Sequence, residues 1–319
     1  MTRAAGLTTP LAVAIGVVSG VLIASQARIN AQLGADLDQP VLAAVISNSG
    51  GLLVLAVAYG LRPAARAGFR RARAAGLPWW RFSGGAFGAT LVAGAALVVP
   101  TLGVALFTVG NVAGQTVAGL AVDRAGLGPG GRRPVTPARM AGAALTVVAV
   151  VIAESGAAGD LSIPLVLTAA AIGTASAMQQ ALNGRVQQAA GDPLVATTAN
   201  FVVGTAVLLL ALGGFATVES AGVDRWPSQW WLYVGGLFGI GVVLGAVVAV
   251  RVIGVFRLGL AVIAGQLAGA VTLDVVVPGR SGGVTASVIV GVVLTFVAVA
   301  LAGRVPRVRP AGGRGRLDP

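Results

Sequence analysis

The chain reads WWRFSGGAFGATLVAGAALVVPTLGVALFTVGNVAGQTVAGLAVD over residues 79–123, and it reads WWLYVGGLFGIGVVLGAVVAVRVIGVFRLGLAVIAGQLAGAVTLD over residues 230–274. The second stretch follows the first at a shift of 151 residues (230 − 79), without a gap. Each begins with two tryptophans, and the Gly-Gln pair at 114–115 recurs at 265–266. A repeat made of apolar helices is typical of membrane transporters.

The similarity continues on both sides of this segment. Upstream, five residues recur at a shift of 153: Gln26, Asn30, Pro40, Ala43 and Gly51 match Gln179, Asn183, Pro193, Ala196 and Gly204. Downstream, residues 142–150 match residues 291–299 at a shift of 149. We therefore predict two repeats, residues 8–155 and 161–304, followed by an arginine-rich tail at 305–319.

The composition predicts that the chain lies in a membrane. It is 56% hydrophobic and only 10% charged, with a mean hydropathy of +0.90, and a soluble chain could not bury so much apolar surface. Helices that cross a bilayer need ~20 apolar residues. The predicted spans are 10–31, 40–61, 80–99, 102–122, 137–154, 163–186, 193–214, 230–250, 257–276 and 284–303, with Pro100 forming the turn between the third and fourth.

A cleaved signal peptide is an alternative reading of the first span. The repeat argues against it, because the matching span at 163–186 lies in the middle of the chain. Histidine and cysteine are both absent, which removes the commonest general base and metal ligand as well as thiol chemistry. No metal or other cofactor is expected.

The charges predict an orientation. All 22 basic residues are arginines, and the net charge is +12. If both termini are cytoplasmic, 19 arginines lie inside and only Arg28, Arg225 and Arg280 lie outside, as the positive-inside rule requires. This placement favours contact with anionic lipid headgroups and argues against a nucleic-acid partner. The expected location is the bacterial inner membrane, with several spans.

Five spans in each repeat is an odd number, so the second copy enters the membrane upside down relative to the first. The charges of the matching loops agree with this inversion. The loop at 62–81 holds six arginines, whereas its counterpart near 215–229 holds Glu219, Asp224 and one arginine. The predicted fold class is therefore an all-α polytopic membrane protein with ten transmembrane helices in two inverted five-helix repeats.

Polar residues inside the spans are the candidates for a binding site, because hydrocarbon penalises unpaired polar groups. Gln26 and Asn30 are four residues apart and share a helix face. Their matches in the second repeat are Gln179 and Asn183. The remaining candidates are Asn111, Gln115 and Gln266, together with the matched pair Ser47 and Asn200. The alternative is that these residues are interhelical hydrogen-bond partners, which contribute only ~0.6 kcal/mol each on average.

Two matched carboxylates, Asp123 and Asp274, fall at span ends. Each is expected either to cap a helix or lie at the interface, or else to couple transport to protons or cations. Asp274 is the better coupling candidate because three valines follow it. Arg28 lies about 27 Å along the first span and is expected to reach the outer interface. No pair of carboxylates is placed for acid–base catalysis.

The block Gln26-Ala-Arg-Ile-Asn30, followed by Pro40 and Ala43, resembles the YdcZ-like branch of the drug/metabolite transporter superfamily. The second copy, Gln179-Gln-Ala-Leu-Asn183 followed by Pro193 and Ala196, carries the same pattern. The resemblance implies a fused form of two inverted five-helix halves, in which four helices of each half surround a cavity. It also implies a secondary transporter that works by alternating access. The first helix lacks the glutamate of proton-coupled small drug exporters in this superfamily, and Gln26 or its neighbours stand there instead.

The leading hypothesis is an inner-membrane exporter of a small polar metabolite or drug, a monomer or homodimer that contacts membrane lipids. A lipid or polyprenyl-carrier flippase is the first alternative, and it predicts a lateral opening and an amphipathic groove. A membrane scaffold without transport is a lesser alternative. An intramembrane enzyme is disfavoured, because the residues that would carry its chemistry are missing.

Overall fold

The computed structural model describes residues 8–129, 131–132, 134–154, 163–216, 223, 225–277 and 284–302, and all the regular structure within them is helical. The helices are α1 (Thr9–Asp36), α2 (Pro40–Leu61), α3 (Pro63–Ala74), α4 (Gly84–Ala125), α5 (Pro137–Glu154), α6 (Ile163–Ala190), α7 (Pro193–Ala216), α8 (Gly235–Val276) and α9 (Ala286–Ala302). Short 3-10 turns at Trp79–Ser83 and Trp230–Tyr233 precede α4 and α8. The predicted tail at 305–319 lies outside the described residues.

Prolines mark where helices begin. Pro40, Pro63, Pro137 and Pro193 are each the first residue of a helix. A proline is tolerated there because the first backbone N–H groups of a helix have no acceptor within it, and its fixed φ angle suits the helix. The spacing of the prolines in the sequence therefore sets several of the helix boundaries.

Five described segments are long and apolar enough to cross a membrane: Thr9–Asp36, Pro40–Leu61, Trp79–Ala125, Ile163–Ala190 and Pro193–Gly214. Shorter apolar helices occur at Pro137–Ala153, Ala261–Val276 and Ala286–Ala298. Most of the predicted third span and all of the fourth lie in α4, and most of the predicted eighth and ninth spans lies in α8.

Helix α4 folds back on itself at Gly103. The backbone there has φ 78° and ψ 162°, a conformation that essentially only glycine adopts. The turn predicted at Pro100 is therefore wrong by three residues, since Pro100 remains within the helical part. Gly94 and Gly110 pack on neighbouring residues of α6, Ile172 and Ala169, although on a straight helix they would lie ~24 Å apart. The first arm (84–102) and the second arm (104–125) thus both pack on α6.

Helix α8 makes the same arrangement with α1. Gly245 packs on Ser19 of α1, and Gly265 packs on Val17. Twenty residues of straight helix would separate these glycines by ~30 Å, so the chain reverses between them. The arms of α8 begin at residue 235 and end at residue 276.

Each of these hairpins therefore packs on the first helix of the opposite half. Both arms of α4, in the first half, pack on α6, and both arms of α8, in the second half, pack on α1. The two last helices also pair across the halves, where Gly291 of α9 packs against Ala149 and Ala153 of α5. Helices α2 and α7 pair as well, through Asn48 and Phe201. The most extensive helix contacts are consequently those between the halves, α1 with α8 and α4 with α6.

The basic segment predicted as a loop at 62–81 contains the amphipathic helix α3. Its small residues Ala65, Gly68 and Ala72 are buried, and Gly68 packs near Ala190 of α6. Four of its arginines lie exposed: Arg66, Arg70, Arg71 and Arg73. The repeat comparison missed this helix because the segment has no apolar run of membrane length.

Candidate functional site

The matched carboxamides form two clusters, one in each half. The second cluster consists of Gln179, Asn183 and Asn200. Gln179 Nε2 donates to Asn200 Oδ1 at 3.0 Å, and Asn183 Nδ2 donates to the same oxygen at 2.9 Å. Gly84 and Gly88 of α4 lie directly against Asn183 and Gln179, and a Cβ on either glycine would overlap those side chains. This cluster is closed by its own hydrogen bonds.

The first cluster consists of Gln26, Asn30 and Ser47, the matching residues of the first half. Gly235 lies against Asn30 Oδ1 and Ser47 Oγ, and Gly239 lies against Gln26. The packing therefore repeats the arrangement of the second cluster, with glycines of the opposite half covering the amides.

The hydrogen bonding of the first cluster is different. Asn30 and Ser47 are each 1% exposed, yet neither Asn30 Oδ1 nor Ser47 Oγ has a partner among the described residues. A buried polar atom left unpaired costs about 1–3 kcal/mol. Serine is one bond shorter than asparagine, so the acceptor that Asn200 supplies in the second cluster is missing here.

A cavity of about 40 Å³ adjoins the first cluster. It is enclosed by α1 and by the hairpins α4 and α8, and its walls are Ile23, Ala24, Gln26, Ala27, Asn30, Leu91, Val92, Ala95, Phe107, Thr108 and Gln266. This volume accommodates water but not a metabolite, for which sites of ~300–1,000 Å³ are usual. The described conformation therefore leaves too little room at this cavity for such a solute.

The cavity gathers predicted and unpredicted polar residues. Gln26, Asn30 and Gln266 were candidates from the sequence, and they line it together. Thr108 lines it too, and it is 1% exposed. Sequence reasoning passed over Thr108 because the matching residue is Gly259 and a lone threonine in an apolar helix carries little signal.

Asn111 and Gln115 lie where the second arm of α4 crosses α6. Their backbone approaches Gly173, so closely that a Cβ on that glycine would overlap the Asn111 carbonyl oxygen. Asn111 is buried, and its Oδ1 has no partner among the described residues. The described hydrogen bonds do not link the two clusters to each other or to these two residues.

Phe201 is the residue of α7 that reaches the first cluster. Its ring packs on Gly51 of α2 and lies beside Gly239, the glycine that also contacts Gln26. Asn200, its neighbour in the chain, holds the second cluster. Two adjacent residues of α7 thus lie at the second cluster and beside a glycine that covers the first. Sequence comparison did not indicate this, because the matching residue in the first half is Asn48.

Asp274 caps a helix that is distant in the sequence. It is 4% exposed, and its two carboxylate oxygens accept hydrogen bonds from Val104 N (3.2 Å) and Ala105 N (2.7 Å). These are the first free N–H groups after the break at Gly103, where the helix dipole also favours a negative charge. The matching Asp123 instead pairs with Arg139.

Arginines bind the carboxyl ends of both hairpins. Arg28 of α1 donates to Val277 O at 2.8 Å, just after the end of α8. Arg185 of α6 donates to Gly126 O at 2.9 Å, and Arg81 donates to Leu127 O at 2.8 Å. A guanidinium stabilises these positions because helix carbonyl groups are unpaired there and carry partial negative charge.

These contacts describe an interior lined with amide and hydroxyl groups. Such groups can donate and accept hydrogen bonds to a bound molecule. Among the described residues, no group of three or more histidine, cysteine, aspartate or glutamate side chains could hold a metal ion. The fold and these sites define a helical transmembrane protein of two related halves with an amide-lined interior.

Comparison with known families identifies the particular group. The model DMT_YdcZ, described as "Putative inner membrane exporter, YdcZ", matches residues 11–152 and again residues 164–301. The chain belongs to this family, and the same model matches both halves. No curated protein and no solved structure gives a significant match. The resemblance predicted from the glutamine and asparagine motifs is confirmed.

Proposed function

We propose that the chain is a secondary transporter that exports a small polar solute across the inner membrane by alternating access. Membership of a family of inner membrane exporters supports transport. The observation that carries the location of the site is the first cluster, where Asn30 lines a cavity and its buried Oδ1 has no partner among the described residues. The site consists of Gln26, Asn30, Ser47 and Gln266.

The directions of the helices support an inverted pair of five-span halves. Gly34 of α1 lies near Ala96 of α4, and Gln26 lines the same cavity as Leu91, so α1 runs parallel to the first arm of α4. That arm runs antiparallel to α6, because Gly84 lies at Asn183 and Gly94 lies at Ile172. Helices α1 and α6, which begin the two halves, therefore run in opposite directions. Counting each hairpin arm as one span gives ten.

Alternating access requires the cavity to enlarge and to open to each side in turn. Each hairpin packs on the opposite half's first helix, so a rocking motion of the halves moves both arms past α1 and α6. The glycine contacts along these helices suit such sliding, since a glycine adds no side chain of its own to the crossing. The arginine-rich α3 and the positive-inside rule support cytoplasmic termini.

Flux measurements test this proposal. Purified protein in proteoliposomes is supplied with a panel of labelled sugars, polyols, amino acids and small amides. We expect saturable flux of at least one solute, reduced at least about tenfold by Asn30→Ala if one hydrogen bond to the solute is lost. Thr272→Ala is the matched control, because Thr272 is exposed on α8 and bonds only to its own helix. Folded protein that moves none of the panel, or equal flux after Asn30→Ala, contradicts the proposal.

A further inference from the structure

The two clusters are equivalent in position but not in hydrogen bonding. In the second cluster, one oxygen of Asn200 receives both neighbouring amides. In the first cluster, Ser47 takes the matching position, and Asn30 Oδ1 and Ser47 Oγ stay without partners among the described residues. We propose that the two clusters have different roles. The second cluster is a structural lock, which stabilises the fold through its internal hydrogen bonds, and the first cluster binds a solute that donates a hydrogen bond.

The chemistry of the unpaired atoms defines the ligand class. Asn30 Oδ1 is a carbonyl oxygen, so it can only accept. Ser47 Oγ can donate one bond and accept others. A ligand that fits both must bring an N–H or O–H group. This inference rests on the proposed transport function and narrows its substrate.

The surroundings of the cavity narrow the class further. Its described walls contain no carboxylate, and apart from the amides and Thr108 they are apolar, including Leu91, Val92 and Phe107. A cation buried here would have no counter-charge among the described lining residues, and low-dielectric surroundings penalise a charge without one strongly. The ligand class is therefore an uncharged molecule with a hydroxyl or amide N–H at one end and an apolar part. A quaternary ammonium compound, which is charged and has no donor, is excluded by both features.

The two matched positions also differ in the acceptor that they offer. An incoming donor at Asn200 Oδ1 of the second cluster competes with two internal bonds of 2.9 and 3.0 Å, which are already formed. At the first cluster it meets an acceptor with no competing donor. Asn30 Oδ1 therefore offers a larger net gain than Asn200 Oδ1, because it has no partner among the described residues and gains a bond on binding.

Matched probes test the ligand class. The probes are benzamide with N,N-dimethylbenzamide, and benzyl alcohol with benzyl methyl ether, each pair differing in its donor. Binding to purified wild-type protein is measured by the shift in apparent Tm over a range of probe concentrations. We expect the donor member of at least one pair to bind at least about tenfold more tightly than its methylated partner. Equal binding within each pair, or no binding by any probe, overturns the inference.

Two variants test the location. Ser47→Asn supplies the acceptor that Asn200 provides in the other half, and we expect it to weaken donor binding at least about tenfold while keeping or raising the apparent Tm without probe. If Ser47→Asn does not fold, Asn30→Ala removes the acceptor itself and has the same expected effect on binding. Thr272→Ala is again the control. Unchanged donor affinity in the folded variant overturns the inference.

The outcomes separate this inference from the proposed function. Flux of a labelled solute that Ser47→Asn leaves unchanged contradicts the assignment of the first cluster but leaves transport intact. Probe binding without flux of any solute in the panel supports the ligand class and contradicts transport.

Discussion

The carboxylate of Asp274 lies 2.7 Å from the backbone nitrogen of Ala105, a residue 169 positions earlier in the chain. This contact joins the end of one hairpin to the bend of the other, and it satisfies N–H groups that the break at Gly103 leaves free. The carboxylate thus acts as a helix cap within the protein interior. Its possible role in coupling stays a prediction.

Removing this cap should destabilise the protein. We expect Asp274→Ala to lower the free energy of unfolding by about 1–3 kcal/mol, because two buried N–H groups lose their acceptor. Asp274→Asn keeps one carbonyl oxygen and should have a smaller effect. Thermal unfolding in detergent measures both, with Asp36→Ala, at an exposed position at the end of α1, as the control. An unchanged apparent Tm in Asp274→Ala would show that water replaces the carboxylate.

The close helix crossings should depend on glycine. Gly114 and Gly119 lie on the same arm of α4, but a Cβ on Gly114 would overlap the Ala170 carbonyl oxygen, whereas a Cβ on Gly119 would meet nothing within 4 Å. We expect Gly114→Ala to lower the free energy of unfolding by about 1–3 kcal/mol, because the added methyl group overpacks the helix crossing. Gly119→Ala should be neutral or stabilise by about 0.4–1 kcal/mol. Comparable losses of apparent Tm in both variants would contradict the observed crossing.

The closed cluster should contribute to stability. Asn200→Ala leaves the amides of Gln179 and Asn183 without their shared acceptor, and we expect a loss of about 1–3 kcal/mol. Thr198→Val on the same helix is the comparison, because Thr198 Oγ1 is buried and has no partner among the described residues. That change should be neutral or stabilising, since it removes an unpaired polar atom. The apparent Tm of each variant is measured, and equal shifts in the two variants would contradict the stabilising role of the second cluster.

The proposed orientation can be measured by labelling single cysteines, since the chain contains none. Ala75 follows α3, and Ser228 lies before the second hairpin, close to Trp226, the residue that matches Ala75 at the shift of 151; both Ala75 and Ser228 are exposed. In intact cells whose outer membrane is permeable to the reagent, we expect an impermeant maleimide to label Ser228→Cys. Ala75→Cys should react only after the inner membrane is opened. Labelling of both from one side would mean that the halves are not inverted.

The sequence predicts the helices and the pairing of residues better than their contacts. Prolines at 40 and 193 place helix starts because their effect is local. The four-residue spacing of Gln26 and Asn30 places them on one face for the same reason. The position of the bend at Gly103 is harder to predict, because a proline and a glycine both occur nearby and only the backbone conformation shows which of them turns the chain.

Contacts between the halves could not be read from the repeat. The repeat says that residues match, but it does not say whether a hairpin packs on its own first helix or on the other one. The Asp274 cap on Ala105 depends on that choice. The hydrogen bonds that Asn200 accepts in the second cluster also depend on the length of its side chain. The repeat does not show this, because it matches Asn200 with the shorter Ser47.

The packing of each hairpin on the opposite half has a consequence for how the sequence of such a protein can diverge. When two identical single halves assemble, every substitution alters both binding positions together. Here both copies are encoded in one chain, and each supplies the wall of the other's cluster. Ser47 and Asn200 can therefore differ although they occupy matched positions. In the roles proposed above, one of these positions recognises the solute and the other stabilises the fold.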